Sequence, residues 1–215
     1  MEITLLESTK TKMGNSIQLV SPSKNQKIGI PLVIGVFHGD EPQGKYLIEE
    51  YLKTNKIDIL FIPCLNPDGM QLNKRTNANG VDLNRNFPTK NWGDDTSGAG
   101  ENPSDYFAGI TPASETETKF VIDIIEKYKP SVILTLHAPY KIVNYDGPAK
   151  KIAGKISNII GYPVEKSIGY PTPGSFGTYC GIERNIPIIT LELDEKIPVE
   201  ELIQPVFKIF ENISK

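Results

Sequence analysis

Residues 30–44 read IPLVIGVFHGDEPQG, and their reading decides the fold. The first eight, 30–37, are almost wholly apolar, as a strand covered on both faces should be. The run stops at His38, Gly39, Asp40 and Glu41, and an amphipathic helix is expected over 42–54. A buried strand that ends in polar, metal-capable side chains and passes into a helix is the unit of an open α/β sheet. In such sheets, ligand sites lie beyond the carboxyl ends of the strands.

The same alternation extends in both directions. Further strands are expected at 16–20, 58–64, 131–136 and 187–193, and further helices at 114–129, 147–160 and 198–213. In the second helix, Ser114 and Glu117 have the spacing of a capping box. Phe120, Ile124 and Tyr128 make one apolar face, and Pro130 stops the helix. The expected fold class is an α/β, three-layer α-β-α sandwich around a mixed, mainly parallel twisted sheet. Residues 66–113 fit neither period and read as a long functional loop. Its aromatic residues Phe87, Trp92, Tyr106 and Phe107 imply order. No linker or repeat interrupts the chain, so residues 1–215 are expected to form one catalytic domain.

Composition narrows the partners. The 215 residues suffice for one sizeable core, with 39% hydrophobic and 23% charged residues as in a soluble globular protein. A net charge of −3 with scattered lysines argues against nucleic acid and against a basic membrane-binding patch. No apolar run reaches the ~18 residues of a membrane span, and the N-terminus lacks the pattern of a secretory leader. The expected location is cytoplasmic. A disulfide between Cys64 and Cys180 is open, but two reduced thiols are expected there. The oligomeric state is not legible.

The chain has only two histidines, His38 and His137. His38 and Glu41 are both good zinc ligands, and their spacing across a strand end lets them converge. Taken alone, such a pair equally fits a solvated turn before a helix. His137, however, closes another core strand, SVILTLH (131–137). If the two strands are parallel neighbours, their tips meet. Two histidines, one glutamate and a water make an open, catalytic zinc site. In PIITLELDE (187–195), Glu192 sits between two leucines, where a carboxylate is costly unless paired or functional. Burial would suit it to general-base work; a salt bridge is the alternative. In the loop, Asn66 to Gly69 read as turn chemistry. Arg75 and Arg85 offer donors suited to a carboxylate or a developing oxyanion.

The ordered set HGDE, NPDG, GVDLNRNFP, SETET, LTLH and TLEL, from about residue 30 to 193, resembles the zinc metallocarboxypeptidase family. The resemblance implies a carboxypeptidase-like fold and one Zn2+ held by His38, Glu41 and His137. It makes Glu192 the catalytic base and then acid, and Arg75 the catalytic group that polarises the scissile carbonyl. Asn84 and Arg85 would grip the terminal carboxylate, Tyr170 would cover the substrate, and Phe176 would line the specificity pocket. HAPYKIVNYDGPA (137–149) and the segment 170–193 are similar to a compact bacterial branch, the murein tripeptide amidases that cleave γ-D-glutamyl-meso-diaminopimelate. Asp146, Thr178 or Tyr179 would then meet a zwitterionic end group.

The implied activity is hydrolysis of the amide next to a C-terminal residue with a free carboxylate, on a small peptide substrate in peptidoglycan recycling. Ordinary carboxypeptidase action on L-peptides, and deacylation of the aspartoacylase or succinylglutamate desuccinylase type, are the alternatives. The family often has a cis peptide just after the last histidine ligand, so a cis Ala138–Pro139 bond is expected. Asp40 would orient His38 or cap the following helix.

Overall fold

The computed structural model describes residues 3–22, 28–54, 57–94, 102–166 and 169–214. Eight strands form one sheet: β1 (Thr4–Lys10), β2 (Ser16–Ser21), β3 (Leu32–Gly35), β4 (Leu60–Ile62), β5 (Ile133–His137), β6 (Ile142–Asp146), β7 (Val164–Glu165) and β8 (Ile188–Glu192). Their spatial order is β1-β2-β4-β3-β5-β8-β6-β7. The central strands β4, β3, β5 and β8 are mutually parallel. The β1–β2, β2–β4 and β6–β8 pairs are antiparallel, so the sheet is mixed, as expected.

The central strands read as continuous apolar runs because each face is covered. Val33, Leu134, Leu136, Ile189 and Leu191 point into a core with helices α1 (Gln43–Thr54), α4 (Lys150–Ile160) and α5 (Ile203–Ile213). Their alternates Leu32, Ile34, Ile133 and Ile188 point the other way, into a core with α3 (Thr116–Tyr128) and with Phe37, Phe87 and Phe176. These two cores make the three layers. Among the described residues, no helix is long and apolar enough to cross a membrane.

Several elements depart from expectation. Strand β1 is an edge strand with a half-exposed pattern and a register shift between Leu5 and Glu7. Strand β6 carries Asn144 and Asp146 in alternation, which hides it in a polarity scan, and β7 has only two residues. The NPDG stretch opens a helix, α2 (Pro67–Leu72), rather than a turn: Asn66 is the cap and accepts from the Gly69 backbone N–H at 2.9 Å, with Pro67 at the first helical position. The capping box at α3 does not form. Ser114 donates instead to the Glu115 carboxylate at 2.6 Å, and Glu115 takes the cap position. The helix does end at Tyr128, with Lys129 left-handed before Pro130.

The long loop is built rather than slack where it is described; part of it, 95–101, lies outside the described residues. The fully buried Asp68 accepts from Thr11 Oγ1, the Met13 backbone N–H and Asn15 Nδ2 at 2.5, 3.0 and 2.8 Å, tying α2 to the β1–β2 hairpin. Phe87 packs against Phe37 and Phe176, with centroids 6.3 and 4.8 Å away.

Candidate active site

Strands β3 and β5 are parallel neighbours, with Gly35 level with Leu136. Both histidines therefore leave the same edge of the sheet. Val36 adopts a left-handed φ of 55°, a rare conformation for a β-branched residue. The segment after β4 holds this turn: Leu65 and Asn66 donate backbone N–H bonds to the Gly35 and Val36 carbonyls, both at 3.0 Å. Gly39 then packs so closely on α2 that a Cβ there would lie 2.0 Å from the Gly69 carbonyl carbon. Glycine at 39 lets the HGDE turn lie backbone to backbone on the NPDG helix, while glycine at 69 makes room for the Asn66 cap and the Thr76 carbonyl.

His38, Glu41 and His137 converge. Glu41 Oε1 lies 2.7 Å from His38 Nδ1 and Oε2 lies 3.0 Å from His137 Nδ1, while the two Nδ1 atoms are 3.3 Å apart. One ligand atom from each residue falls within 4.8 Å of the others. Tetrahedral zinc with N and O ligands at ~2.0–2.2 Å sets those ligands roughly 3.3–3.5 Å apart; the two Nδ1 atoms have that spacing and the Glu41 oxygens sit closer, so the donor set fits that ion once the carboxylate turns slightly outward. The electrostatics also fit a cation. Burial and Arg75 oppose a charge on His38, yet Glu41 and Asp82 outweigh them and lift it to about 9. Phe37 stacks on the His137 ring at 5.4 Å. The Ala138–Pro139 peptide is cis, as expected.

Glu192 is the register partner of His137 on β8. It is buried, and desolvation lifts its pKa above the usual carboxylate range, with Glu41 adding to the effect and His137 opposing it. Its Oε2 has no hydrogen-bond partner, and no ion pair to it is found among the described residues. The carboxylate is therefore not tied into a structural salt bridge among the described residues and faces the cavity.

The GVDLNRNFP stretch supplies the rest. Asp82 is fully buried and grips Arg75 through two bonds to Oδ2, from Nε at 3.1 Å and Nη2 at 3.0 Å. Its Oδ1 accepts from the Asn84 backbone N–H and faces His38 Nε2 at 3.3 Å. Burial opposes its charge, but Arg75 and His38 outweigh it, so Asp82 lies well below the usual carboxylate range. Asp82 is thus the carboxylate behind His38, a residue that sequence reasoning missed. Asp40, for which that role or a helix cap was expected, is exposed on the cavity rim. The signal for Asp82 was available: an aspartate inside an apolar-flanked motif seven residues after Arg75.

Arg85 is nearly fully buried. It spends one guanidinium nitrogen on the Asn84 carbonyl at 2.8 Å and leaves Nε and Nη2 without partners. Asn84 turns its side-chain carbonyl to the Phe176 backbone N–H at 2.9 Å. Tyr106 lies under both arginines, its ring centre 4.9 Å from the Arg75 guanidinium carbon and 5.6 Å from that of Arg85. Tyr106 was expected only as an ordering aromatic. Tyr170 stands edge-on to it at 6.4 Å, and burial pushes the Tyr170 phenol up to about 12.

His38, Glu41, His137, Glu192, Arg75, Asn84, Arg85 and Tyr170 all line one cavity of about 450 Å3. Phe176 does not: its ring is buried against Phe37 and Phe87, and only its neighbours Ser175 and Gly177 reach the wall. Sequence position had placed it on the wall, but the aromatic core claims the ring. Of the three residues expected near an end group, Asp146 lines the cavity and Thr178 and Tyr179 do not. Cys64 and Cys180 are both free and buried.

Comparison with known proteins agrees with this geometry. A family profile of zinc carboxypeptidases (peptidase M14) matches residues 3–155. Murein peptide amidase A of Escherichia coli strain K12 is 33% identical over 181 residues, covering 80% of this chain and 73% of that one. Murein peptide amidase A of Vibrio campbellii is 34% identical over 202 residues, covering 86% and 79%. The crystal structure of murein-tripeptide amidase MpaA from Escherichia coli O157 superposes with a TM-score of 0.80 at 29% identity, over 96% of this chain and 90% of that one. The family match ends before β8, so the place of Glu192 beside His137 is a finding of the structure. The chain belongs to the zinc carboxypeptidase family and is, by that membership, a peptide-bond hydrolase.

Proposed function

We propose that this chain is a zinc-dependent amidase that hydrolyses the γ-D-Glu–meso-diaminopimelate amide of murein peptides, in cytoplasmic peptidoglycan recycling. The likeness to murein peptide amidases along most of both chains supports the substrate. The observation that carries the chemistry is the register pairing of His137 with Glu192 beside the His38–Glu41 pair. His38, Glu41 and His137 would hold one zinc ion per chain. That ion supplies Lewis acidity, which lowers the pKa of a water and polarises a carbonyl.

The chain's own residues do the remaining work. Glu192 takes a proton as the water oxygen forms a bond to the amide carbon. Arg75, held by Asp82, stabilises the negative charge that develops on the carbonyl oxygen. The C–N bond breaks, and Glu192 passes its proton to the leaving nitrogen. Arg85, with its unpaired donors, and Asn84 fix the free carboxylate of the leaving residue and so set which amide is cut. Tyr170 and Tyr106 shield this end from water.

The test is a comparison of kcat/KM for the zinc-loaded protein on L-Ala-γ-D-Glu-meso-diaminopimelate, a dipeptide ending in phenylalanine, and an N-acyl aspartate. The tripeptide should lead. Preference for the dipeptide would return the chain to ordinary carboxypeptidase action, and activity on the acyl aspartate alone would overturn the reading.

A further inference from the structure

The two arginines of the cavity are buried in different ways. Arg75 is paired: Asp82 accepts from its Nε and Nη2. Arg85 is only 1% exposed, yet the hydrogen bond it donates goes to a neutral carbonyl, that of Asn84. No ion pair to it is found among the described residues, and its Nε and Nη2 have no partner. A buried cation without compensation is costly.

An aromatic face supplies the compensation. The Arg85 guanidinium carbon lies over the Tyr106 ring, 5.6 Å from its centre, and that of Arg75 lies 4.9 Å from the same centre. Both are within the ~6 Å at which a ring quadrupole attracts a cation, and the attraction is largest where water is excluded. A ring can offset the charge without accepting the in-plane N–H bonds that a carboxylate would take. Arg85 is thus held as a cation while two of its nitrogens stay unspent.

The ring is fixed by the same turn that carries the arginine. Tyr106 closes a short 3-10 helix, Pro103–Tyr106. The next two carbonyls are tied to GVDLNRNFP: Phe107 accepts from the Asp82 backbone N–H at 2.9 Å, and Ala108 from Asn86 Nδ2 at 2.8 Å. Gly109, at a φ of 91°, turns the chain where a Cβ would lie 2.6 Å from Asn86 Nδ2. Asp82 and Asn86 flank Arg85, so the segment that carries the ring is anchored on both sides of it.

We propose that Tyr106 is a positioning residue: its ring holds the Arg85 guanidinium in the cavity wall with two donors unspent, and so sustains the grip on a free carboxylate. This rests on the hydrolytic reading above and adds the group that keeps Arg85 open to an anion. Arg75, already fixed by Asp82, depends on the ring less. Loss of the ring should therefore raise KM before it lowers kcat.

The experiment uses the full, zinc-loaded chain, with Tyr106→Leu to remove the ring and Tyr106→Phe to keep it. The substrates are L-Ala-γ-D-Glu-meso-diaminopimelate and the same peptide with the carboxylate next to the scissile amide made a carboxamide. In Tyr106→Leu, kcat/KM on the acid should fall at least about fivefold, chiefly through KM, and on the carboxamide less than about twofold. Tyr106→Phe should keep the parent's preference for the acid. Progressively fluorinated phenylalanine at 106 keeps the shape and drains the ring face of charge, so the preference should fall stepwise, whether or not Tyr106→Leu folds. A preference indifferent to fluorination, or unchanged in a folded Tyr106→Leu, would overturn the proposal, as would a parent that treats acid and carboxamide alike. Calorimetric binding of free meso-diaminopimelate and of L-phenylalanine separates this from the reaction. Binding that weakens with fluorination, without hydrolysis, would refute the activity and keep the positioning role. Hydrolysis with binding indifferent to fluorination would do the reverse. No binding and no hydrolysis would refute both.

Discussion

Asp82 holds the guanidinium of Arg75 through Nε and Nη2, at 3.1 and 3.0 Å, while its other oxygen faces His38 Nε2. One buried carboxylate thus fixes both the arginine proposed to meet the carbonyl and a histidine of the proposed metal site. Asp82→Asn keeps the volume, loses the charge and presents an N–H2 group to one of two donors. Loss of such an outer partner typically costs 10–100-fold in metal affinity. Zinc titration against a chelating indicator should show a loss in that range. Unchanged affinity would mean that the charge of Asp82 does not support His38 as a ligand.

Glu192→Gln should behave differently. The residue lies beside the ligands but is not one of them, so zinc affinity should stay near that of the parent chain. Proton transfer by a positioned base is worth roughly 10²–10⁴-fold. A fall in kcat of at least about 10²-fold, with metal stoichiometry intact, is expected. Near-normal turnover would remove Glu192 from the mechanism.

Two glycines should respond to alanine with opposite signs. At Gly39 the new Cβ would fall 2.0 Å from the Gly69 carbonyl carbon, and 2.3 Å from the Met70 nitrogen, backbone that cannot step aside. Gly39→Ala should lose at least ~1–3 kcal/mol, the usual cost of overpacking, and zinc affinity with it. Gly154, inside α4, has nothing within 4 Å of its Cβ position. Gly154→Ala should gain roughly 0.5–1 kcal/mol from reduced chain entropy. Thermal melts of the two variants check both signs.

The thiols should be silent in the folded protein. Burial pushes Cys64 up to about 12 and Cys180 well above its ordinary value, and neither is bridged. The thiolate is the reactive form, so native protein at pH 8 should resist an aromatic disulfide reagent, whereas denatured protein should titrate both. Fast labelling of Cys64 in the native state would contradict its place behind β4.

What was legible in the sequence follows from what each residue needs. His38, His137 and Glu192 could be found because each follows or closes an apolar strand, where a polar group is conspicuous, and Glu41 by its three-residue spacing from His38. The parallel strands were visible because both faces are buried. Strand β6 was not, because Asn144 and Asp146 face a polar cavity and break the apolar pattern. Phe176 was misplaced because a phenylalanine beside a pocket satisfies packing as readily as lining; only the rings of Phe37 and Phe87 decide which. Asp82 escaped notice because its partners, Arg75 and His38, lie seven and forty-four residues away and meet it only in three dimensions.

Glu115 offers a test by pH, away from the metal ligands. It is buried at the cap of α3 and accepts from Ser114 Oγ at 2.6 Å and from Asn77 and Asn79 Nδ2, each at 2.7 Å. Burial raises its pKa, but these bonds outweigh that and leave it below the ordinary carboxylate value. A carboxylate with a depressed folded pKa contributes stability above its unfolded pKa and loses it as pH falls through the folded one. Glu115→Gln keeps an oxygen for the two asparagines and loses the charge. Bonds to a charged group are worth about 1.5–3 kcal/mol and neutral ones about 0.5–1.5, so the variant should be about 1 kcal/mol less stable at pH 7. Denaturant melts should show that gap constant near neutrality and closing only as pH drops below the usual carboxylate range. A gap that persists in acid would mean that the glutamate contributes by shape rather than by charge.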